Sequence, residues 1–158
     1  MGSNKYEYDR IGMNGRIDTM QAAILIEKLK IFKSELMKRD KLAKYYKRQF
    51  LDLGTNIKLP KVISGATSSW AQFTIQLPLS CDREDFQIKM KEKGIPTAIY
   101  YPIPIHCQKP YKKFPISSDK LKNTNLLSKC VISLPMHAYL SFEDIEYISK
   151  VAHGIINN

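Results

Sequence analysis

A short glycine-flanked segment near the start of the chain carries side chains that can bind anions. Asn14 stands between Gly12 and Gly15, and Arg16 follows at once. A side-chain amide donates hydrogen bonds to phosphate oxygens, and the two glycines let the backbone turn sharply and come close to a ligand. The guanidinium of Arg16 is a planar fork that matches a carboxylate or a phosphate. Two ordinary alternatives stay open: Asn14 satisfies its own turn, or Arg16 pairs with Asp18 at the surface.

Further polar side chains lie in a proline-rich stretch in the second half of the chain. Tyr101 precedes a stiff loop from Pro102 to Pro115, which has four prolines and contains His106. An imidazole can donate a hydrogen bond to a hydroxyl or to a phosphate oxygen. A lone histidine in such a loop also has a purely structural interpretation, and the residue pattern alone does not separate the two.

Hydrophobic periodicity predicts a long helix between these two regions. Asp18 followed by Gln21 resembles a capping box, and Gly54 is placed to end the helix. The apolar stripe consists of Ala22, Leu25, Ile26, Leu29, Phe32, Leu36, Ala43, Tyr46 and Phe50. A helix of about 35 residues is near 50 Å long, so we expect it to bridge two bodies or to cross a subunit interface.

The remainder alternates short strands with short helices. Strand patterns cover 73–77, 95–101 and 131–134, and helix patterns begin at the caps Asp82, Ser118 and Ser141. This order predicts an α+β fold in which the long N-terminal helix is followed by a small, mostly antiparallel sheet with helices packed on one face.

Composition excludes several classes of protein. Apolar residues make up 44% and charged residues 25%, which is typical of a globular chain rather than a disordered one. No apolar run reaches the roughly 18 residues of a membrane span. The three cysteines fit no metal-binding spacing, so reduced thiols in the cytosol are expected. The net charge of +10 is compatible with a solvated basic surface, with attraction to small phosphate-bearing molecules, or with nucleic acid.

Four motifs, in order along the chain, carry a resemblance to a known family. They are G-x-N-x-R-x-D-x-x-Q-A-A at 12–23, S-W-A-Q-F at 69–73, G-I-P-T-x-x-x-Y-x-x-P-x-H at 94–106 and S-L-P-M-H at 133–137. Together they resemble the DegT–StrS type of sugar aminotransferases, which depend on pyridoxal phosphate (PLP), over essentially the whole chain. The segments 6–10 and 133–137 look similar to the subgroup that aminates a UDP-linked 3-oxo-N-acetylhexosaminuronate for surface polysaccharide.

The resemblance implies an organisation and a set of roles. Residues 1–17 correspond to a dimer-interface loop, 18–54 to a connecting helix and 55–158 to the small domain of a fold-type I aminotransferase. Asn14 would bind the PLP phosphate of the partner subunit in a homodimer. The implied substrate-binding residues are Arg16, Tyr101 and His106. The implied substrates are a UDP-sugar and glutamate, in the cytoplasm, with no metal and no membrane.

The same resemblance places the lysine that binds PLP covalently upstream of the first motif. Only 13 residues precede Asn14, and Lys5 is the only lysine among them. We therefore expect the chain to be the C-terminal part of such an enzyme, with no catalytic residue of its own and no covalent link to PLP. The alternative is a noncatalytic basic module that binds a partner protein or nucleic acid through the charged segment from Lys28 to Arg48.

Overall fold

The structure, a computed structural model, describes residues 15–117 and 119–157. It has the predicted α+β architecture, in which a long N-terminal helix precedes a small antiparallel sheet and further helices. The helices are α1 (Thr19–Asp52), α2 (Arg83–Glu92), α3 (Lys122–Cys130) and α4 (Phe142–Asn157), and the strands are β1 (Phe73–Gln76) and β2 (Val131–Leu134). Short 3-10 helices at Ile105–Cys107 and Lys109–Tyr111 lie between α2 and α3.

The chain divides into two compact units, one up to Lys33 and one from Ser34 onward. In the first unit, α1 begins at the predicted cap. The carboxylate of Asp18 accepts the backbone N–H groups of Met20 at 2.9 Å and Gln21 at 3.3 Å. These donors have no partner within the helix, so the side chain satisfies what the helix start leaves unpaired.

The other end of α1, in the second unit, is also as predicted. Gly54 has a left-handed φ of 64°, which glycine adopts without a Cβ clash. Its N–H donates to the carbonyl of Leu51 at 3.0 Å, and the N–H of Thr55 donates to the carbonyl of Phe50 at 3.3 Å. The last carbonyls of the helix are therefore satisfied by the turn that ends it.

The core of the second unit forms where the end of α1 meets the sheet. The buried ring of Tyr46 stacks on Phe73 of β1, with centroids 4.7 Å apart, and its hydroxyl donates to the carbonyl of Pro135 at 3.0 Å. Helices α2 and α4 pack against each other. The other large buried side chains are Leu42, Phe50, Trp70, Ile75, Leu77, Phe86, Met90, Ile95, Ile132, Leu134, Ile145 and Ile148.

The apolar stripe of α1 is buried only in its second half. Buried residues on this helix are Leu42, Ala43, Tyr46 and Phe50. Leu25, Leu29 and Phe32 lie four and three residues apart on one face of the first half, and they are 49%, 67% and 46% exposed. The predicted periodicity is therefore helical throughout, but among the described residues only its second half packs into a core.

The sheet pairs β1 with β2 in an antiparallel register. Phe73 lies opposite Leu134, and Ile75 lies opposite Ile132. Buried and half-buried side chains alternate along β1, which confirms the prediction of a half-buried strand. The strand predicted at 131–134 is confirmed as well.

The prediction of a strand at 95–101 is wrong. Within this fully described segment, Ala98 forms an isolated bridge with Ser133, exchanging backbone hydrogen bonds of 3.0 and 2.8 Å. Pro96 has no N–H to donate to a ladder, and Tyr101 has a left-handed φ of 53° that strand geometry does not admit. The pairing therefore cannot extend in either direction.

The helix predicted from Ser118 begins later, at Lys122. Ser118 itself lies outside the described residues. Lys120 and Leu121 have left-handed φ values of 53° and 51°, so a right-handed helix cannot run through them. The carboxylate of Asp119 accepts the N–H of Leu121 at 3.0 Å, which closes a local turn where the helix start was expected.

The capping box predicted at the start of α4 is confirmed. The hydroxyl of Ser141 accepts the N–H of Asp144 at 3.0 Å, and the carboxylate of Asp144 accepts the N–H of Ser141 at 2.9 Å. These bonds hold the pKa of Asp144 below its ordinary value, the backbone bond from Ser141 being the largest cause. Ionised Asp144 therefore stabilises the first turn of α4.

Acid should weaken this helix start. Because the folded pKa of Asp144 is lowered, its contribution is fully present above the ordinary value of 3.8 and is lost as the pH falls through the folded pKa. We expect Asp144→Asn to lower the urea midpoint at neutral pH and to have a smaller effect in strong acid. Circular dichroism at both pH values measures this, with Glu143→Gln as the control. An equal loss at both would contradict it.

Candidate functional site

The segment from Tyr100 to His106 forms one wall of a cavity in the second unit. The cavity has a volume of about 830 Å³ and lies between this segment, the residues 111–117 and helix α3. The bridge of Ala98 to Ser133 ties the start of the segment to β2, while Pro102 and Pro104 stiffen its middle. The sheet therefore fixes where the cavity wall begins.

His106 is held in this wall by a short chain of hydrogen bonds. It lies in the 3-10 turn Ile105–Cys107 and is half-buried. Its Nε2 is 3.0 Å from Oδ1 of Asn125, and Nδ2 of Asn125 donates to the carbonyl of Lys120 at 3.0 Å. Since the amide nitrogen donates to Lys120, Oδ1 is the acceptor and Nε2 of His106 carries the proton. Nδ1 is then the ring nitrogen that can accept a hydrogen bond when the ring is neutral.

Removing the side-chain amide of Asn125 should allow His106 to adopt both neutral tautomers. We expect Asn125→Ala to change His106 from a single Nε2–H form to a mixture of both neutral tautomers, because the neutral ring loses the acceptor that selects one form. Long-range proton–nitrogen correlation spectra of the imidazoles report the protonated nitrogen directly. His153 serves as the internal control, since its ring contacts Thr55 and Asn157 instead. Unchanged His106 nitrogen shifts would contradict the assignment.

Tyr101 lies in the same cavity wall but is open to solvent. Its side chain is 83% exposed, and its left-handed φ of 53° is uncommon for a residue other than glycine. The structure thus brings Tyr101 and His106, two of the residues singled out in the sequence, to one cavity. Tyr100 beside them also lines a smaller cavity of about 220 Å³, formed with Gln72 and Thr97.

Of the two remaining candidate residues, the structure describes only Arg16. Arg16 is exposed and lies just before α1. The carboxylate of Asp18 accepts backbone bonds from α1, and among the described residues no ion pair joins it to Arg16. Asn14 lies outside the described residues.

A strained tryptophan turn directly precedes Ala71 and Gln72 of the smaller cavity, and its strain was not predicted. Trp70 has a left-handed φ of 49°. Its indole N–H donates to Asp40 at 3.1 Å, and the ammonium of Lys47 lies 4.9 Å from the ring centroid. Bonds from Lys44 first, and from Trp70 second, lower the pKa of Asp40. These contacts hold Trp70 in a costly conformation next to Gln72.

The walls of the two cavities around Tyr100 bear on where a PLP group could be bound covalently. A lysine must reach the cofactor to bind it, but none of the lysines in the described part of the chain lines either cavity around Tyr100. The same residues contain no cluster of three or more His, Cys, Asp or Glu side chains that could hold a metal. None of their helices is long and apolar enough to cross a membrane.

Comparison with known proteins gives the family of this α+β chain. The chain belongs to the DegT/DnrJ/EryC1/StrS aminotransferase family, whose model matches residues 1–152. It is 37% identical over 147 residues to the UDP-2-acetamido-2-deoxy-3-oxo-D-glucuronate aminotransferase of Pseudomonas aeruginosa, covering 91% of this chain and 38% of that protein. It is 34% identical to the dTDP-3-amino-3,6-dideoxy-alpha-D-galactopyranose transaminase of Aneurinibacillus thermoaerophilus, covering 94% and 39% of the two proteins.

Solved structures agree with this assignment. A DegT DnrJ EryC1 StrS aminotransferase from Brucella abortus matches with a TM-score of 0.86 and 36% identity, over 99% of this chain and 40% of that one. S. venezuelae DesV, solved with a ketimine intermediate, matches with a TM-score of 0.84 and 25% identity, over 99% and 41%. The predicted family and its α+β fold are confirmed. The chain spans about two fifths of the length of these relatives.

Proposed function

We propose that the chain is the C-terminal part of a PLP-dependent aminotransferase that moves an amino group from glutamate to the 3-keto group of a UDP-linked sugar. The family match over residues 1–152 carries this proposal. The relative from P. aeruginosa bears the name of an enzyme for UDP-2-acetamido-2-deoxy-3-oxo-D-glucuronate, which favours a uronate as the sugar. The proposed enzyme is a cytoplasmic homodimer that serves surface polysaccharide synthesis.

Each candidate residue has a role in this proposal. Asn14 binds the cofactor phosphate of the partner subunit through its amide. Arg16 binds the carboxylate of the uronate, for which its exposed guanidinium is suited. Tyr101 and His106 contact the sugar nucleotide. The hydrogen bond from Nε2 of His106 to Asn125 leaves Nδ1 able to accept a hydrogen bond from a sugar hydroxyl.

The chain alone should not bind PLP covalently. No described lysine lines the cavities around Tyr100, so we expect no adduct that borohydride fixes on a lysine. The measurement is mass spectrometry of the chain after incubation with PLP and reduction, followed by peptide mapping. Sparse labelling spread over exposed lysines is the background. Stoichiometric labelling of one lysine would overturn the expectation that this chain has no covalent cofactor site.

The proposed reaction is tested by completing the chain. It is joined to the portion of the P. aeruginosa relative that precedes the matched segment, and glutamate-dependent amination of the 3-oxo-uronate is measured. We expect Arg16→Gln to lower kcat/KM for this substrate roughly 10- to 100-fold, the value of a hydrogen bond to a charged group. The exposed Lys28→Gln is the control. A folded, PLP-loaded chimera without activity would refute the proposed function, and an equal loss with a sugar lacking the carboxylate would refute the role of Arg16.

The basic helix gives little support to nucleic-acid binding. Along α1, Lys44 pairs with Asp40 at 2.7 Å and Arg48 pairs with Asp52 at 3.6 Å. Lys47 lies over an aromatic ring instead of pointing to an open groove. A duplex binder would need these cations free for phosphates, with steeply salt-dependent affinity. Such binding to unrelated duplexes would favour the noncatalytic alternative.

A further inference from the structure

Helix α3 carries the acceptor that orients His106, but little of this helix is buried. Of its nine residues, all of them described, only Cys130 at the last position is buried. Leu121, at the N-terminal cap position, has an apolar side chain that cannot accept the first N–H groups of the helix. Helices shorter than about 12–15 residues are marginal in water without outside contacts. The position of Asn125 therefore depends on what holds the C-terminal end of α3.

An arginine from α2 binds that end of the helix. Nη1 of Arg83, the first residue of α2, donates to the carbonyl of Ser128 at 2.5 Å and to that of Val131 at 3.4 Å. Carbonyls in the last turn of a helix have no partner within it, and a cation there also interacts favourably with the helix dipole. Nε of Arg83 is buried and has no acceptor among the described residues, so the bonds from Nη1 are what ties this side chain to α3 and β2.

The same face of α2 is bonded to the segment that carries the imidazole. Nε2 of Gln87 donates to the carbonyl of Thr97 at 3.2 Å. Thr97 lies just before the bridge to β2 from which the chain runs on to His106. Residues four apart on a helix are neighbours on its surface, so Arg83 and Gln87 share one face. One face of α2 therefore contacts both α3 and the segment that leads to His106.

Within α3, one side chain connects the arginine to the asparagine. Ser128, whose carbonyl accepts the bond from Arg83, donates from its hydroxyl to the carbonyl of Asn125 at 3.0 Å. Oδ1 of Asn125 lies 3.0 Å from Nε2 of His106. A displacement of α3 by roughly 1 Å would bring this last distance to about 4 Å, which is too long for a hydrogen bond. The orientation of the imidazole is therefore sensitive to how firmly α3 is held.

We propose that Arg83 is a positioning residue for His106. By binding the C-terminal end of α3, it keeps Asn125 within hydrogen-bond distance of the imidazole and so keeps the proton on Nε2. It acts through the helix and needs no contact with a substrate. Its effect on amination rests on the proposed function, in which His106 contacts the sugar nucleotide, whereas its effect on the tautomer does not.

The test combines long-range proton–nitrogen spectra of His106 with hydrogen exchange of the α3 amides in the same chain. We expect Arg83→Gln to speed exchange in α3 at least about tenfold relative to α4, the value of a hydrogen bond to a charged group. His106 should change to a mixture of both neutral tautomers. Arg83→Lys keeps a cation that can bind one carbonyl, and it should restore most of the Nε2–H form. Arg48→Gln, at an exposed site where the arginine pairs with Asp52, is the matched control.

A double variant shows whether the arginine acts through the asparagine. In a chain that already carries Asn125→Ala, Arg83→Gln should leave the nitrogen shifts of His106 unchanged, because two changes that act through one contact are not additive. Exchange of the α3 amides should still accelerate. A further change of the His106 shifts would mean that Arg83 reaches the ring by another route, which would overturn the inference.

Two results with Arg83→Gln, in a chain that circular dichroism shows to be folded, would also overturn it. Unchanged exchange in α3 would mean that Arg83 does not hold the helix. Faster exchange with unchanged nitrogen shifts of His106 would mean that Arg83 supports the helix without positioning the ring.

The completed chimera tests the consequence for amination. Arg83→Gln should lower kcat/KM for the sugar nucleotide roughly 2- to 10-fold, the value of one neutral hydrogen bond, and leave kcat/KM for glutamate unchanged. An equal loss for both substrates, or none, would refute the effect of Arg83 on the reaction. A parent chimera without amination would refute only the proposed function, because the tautomer of His106 is measured in the chain itself.

Discussion

Replacing Phe73 with alanine should destabilise the second unit by about 3–5 kcal/mol, the usual range for removing a buried aromatic ring. The side chain is fully buried, and its ring lies 4.7 Å from that of Tyr46 and 5.9 Å from that of Trp70. Phe73 thus joins α1 to the sheet and to the strained tryptophan turn. Because small domains have a total stability of about 5–15 kcal/mol, a loss of this size removes a large share of it.

Urea unfolding followed by circular dichroism measures this loss. Phe73→Leu keeps an apolar side chain in the site and should lose less than Phe73→Ala. Leu51→Ala removes an apolar side chain that is 72% exposed on α1, and it should change the stability by no more than about 0.5 kcal/mol. A loss below about 1 kcal/mol for Phe73→Ala would mean that the ring is not part of a tightly packed core.

Features set by neighbouring residues could be predicted from the sequence. The cap at Asp18, the stop at Gly54 and the capping box at Ser141 each depend on contacts within five residues. The alternation around Phe73 likewise follows from the two-residue period of a strand. In each of these cases the local chemistry has one favourable outcome, and the structure adopts it.

The errors occur where non-glycine residues take a left-handed backbone. The residue types at Tyr101, Lys120 and Leu121 do not predict that conformation, because side chains with a Cβ ordinarily avoid it. The sequence therefore predicts a strand through Tyr101 and an early helix start near Leu121, and both predictions are wrong. Both deviations border the large cavity, where tertiary contacts override local preference.

Only part of the candidate site could be predicted from the sequence, for a similar reason. The motif at 94–106 identifies Tyr101 and His106, but the residue that orients the imidazole is 19 positions away, at Asn125. The aromatic wall of Tyr111 and Phe114 has a three-residue spacing that carries no distinctive signal in a proline-rich loop. Contacts between residues far apart in the sequence depend on how the loop packs against α3. The periodicity of hydrophobic residues does not predict that packing.

The first half of α1 should make the chain self-associate. Leu25, Leu29 and Phe32 form an exposed apolar face, and monomeric soluble proteins rarely leave such contiguous patches uncovered. Complete burial of a leucine or phenylalanine side chain is worth about 1.5–3 kcal/mol, so covering even part of three such residues favours association substantially. We expect sedimentation velocity to show species heavier than the 18.2 kDa chain, increasing with concentration.

A triple variant tests whether this face is responsible. Replacing Leu25, Leu29 and Phe32 with glutamine keeps good helix formers in place while removing the apolar surface, and it should raise the dissociation constant at least about 100-fold, equivalent to roughly 2.7 kcal/mol. The matched control replaces three other exposed apolar residues with glutamine: Leu51, Ile63 and Leu79. If the control abolishes association as well, general surface hydrophobicity is the cause. A parent chain that stays monomeric at high concentration would contradict the prediction. The exposed apolar face of α1 would then not favour association measurably.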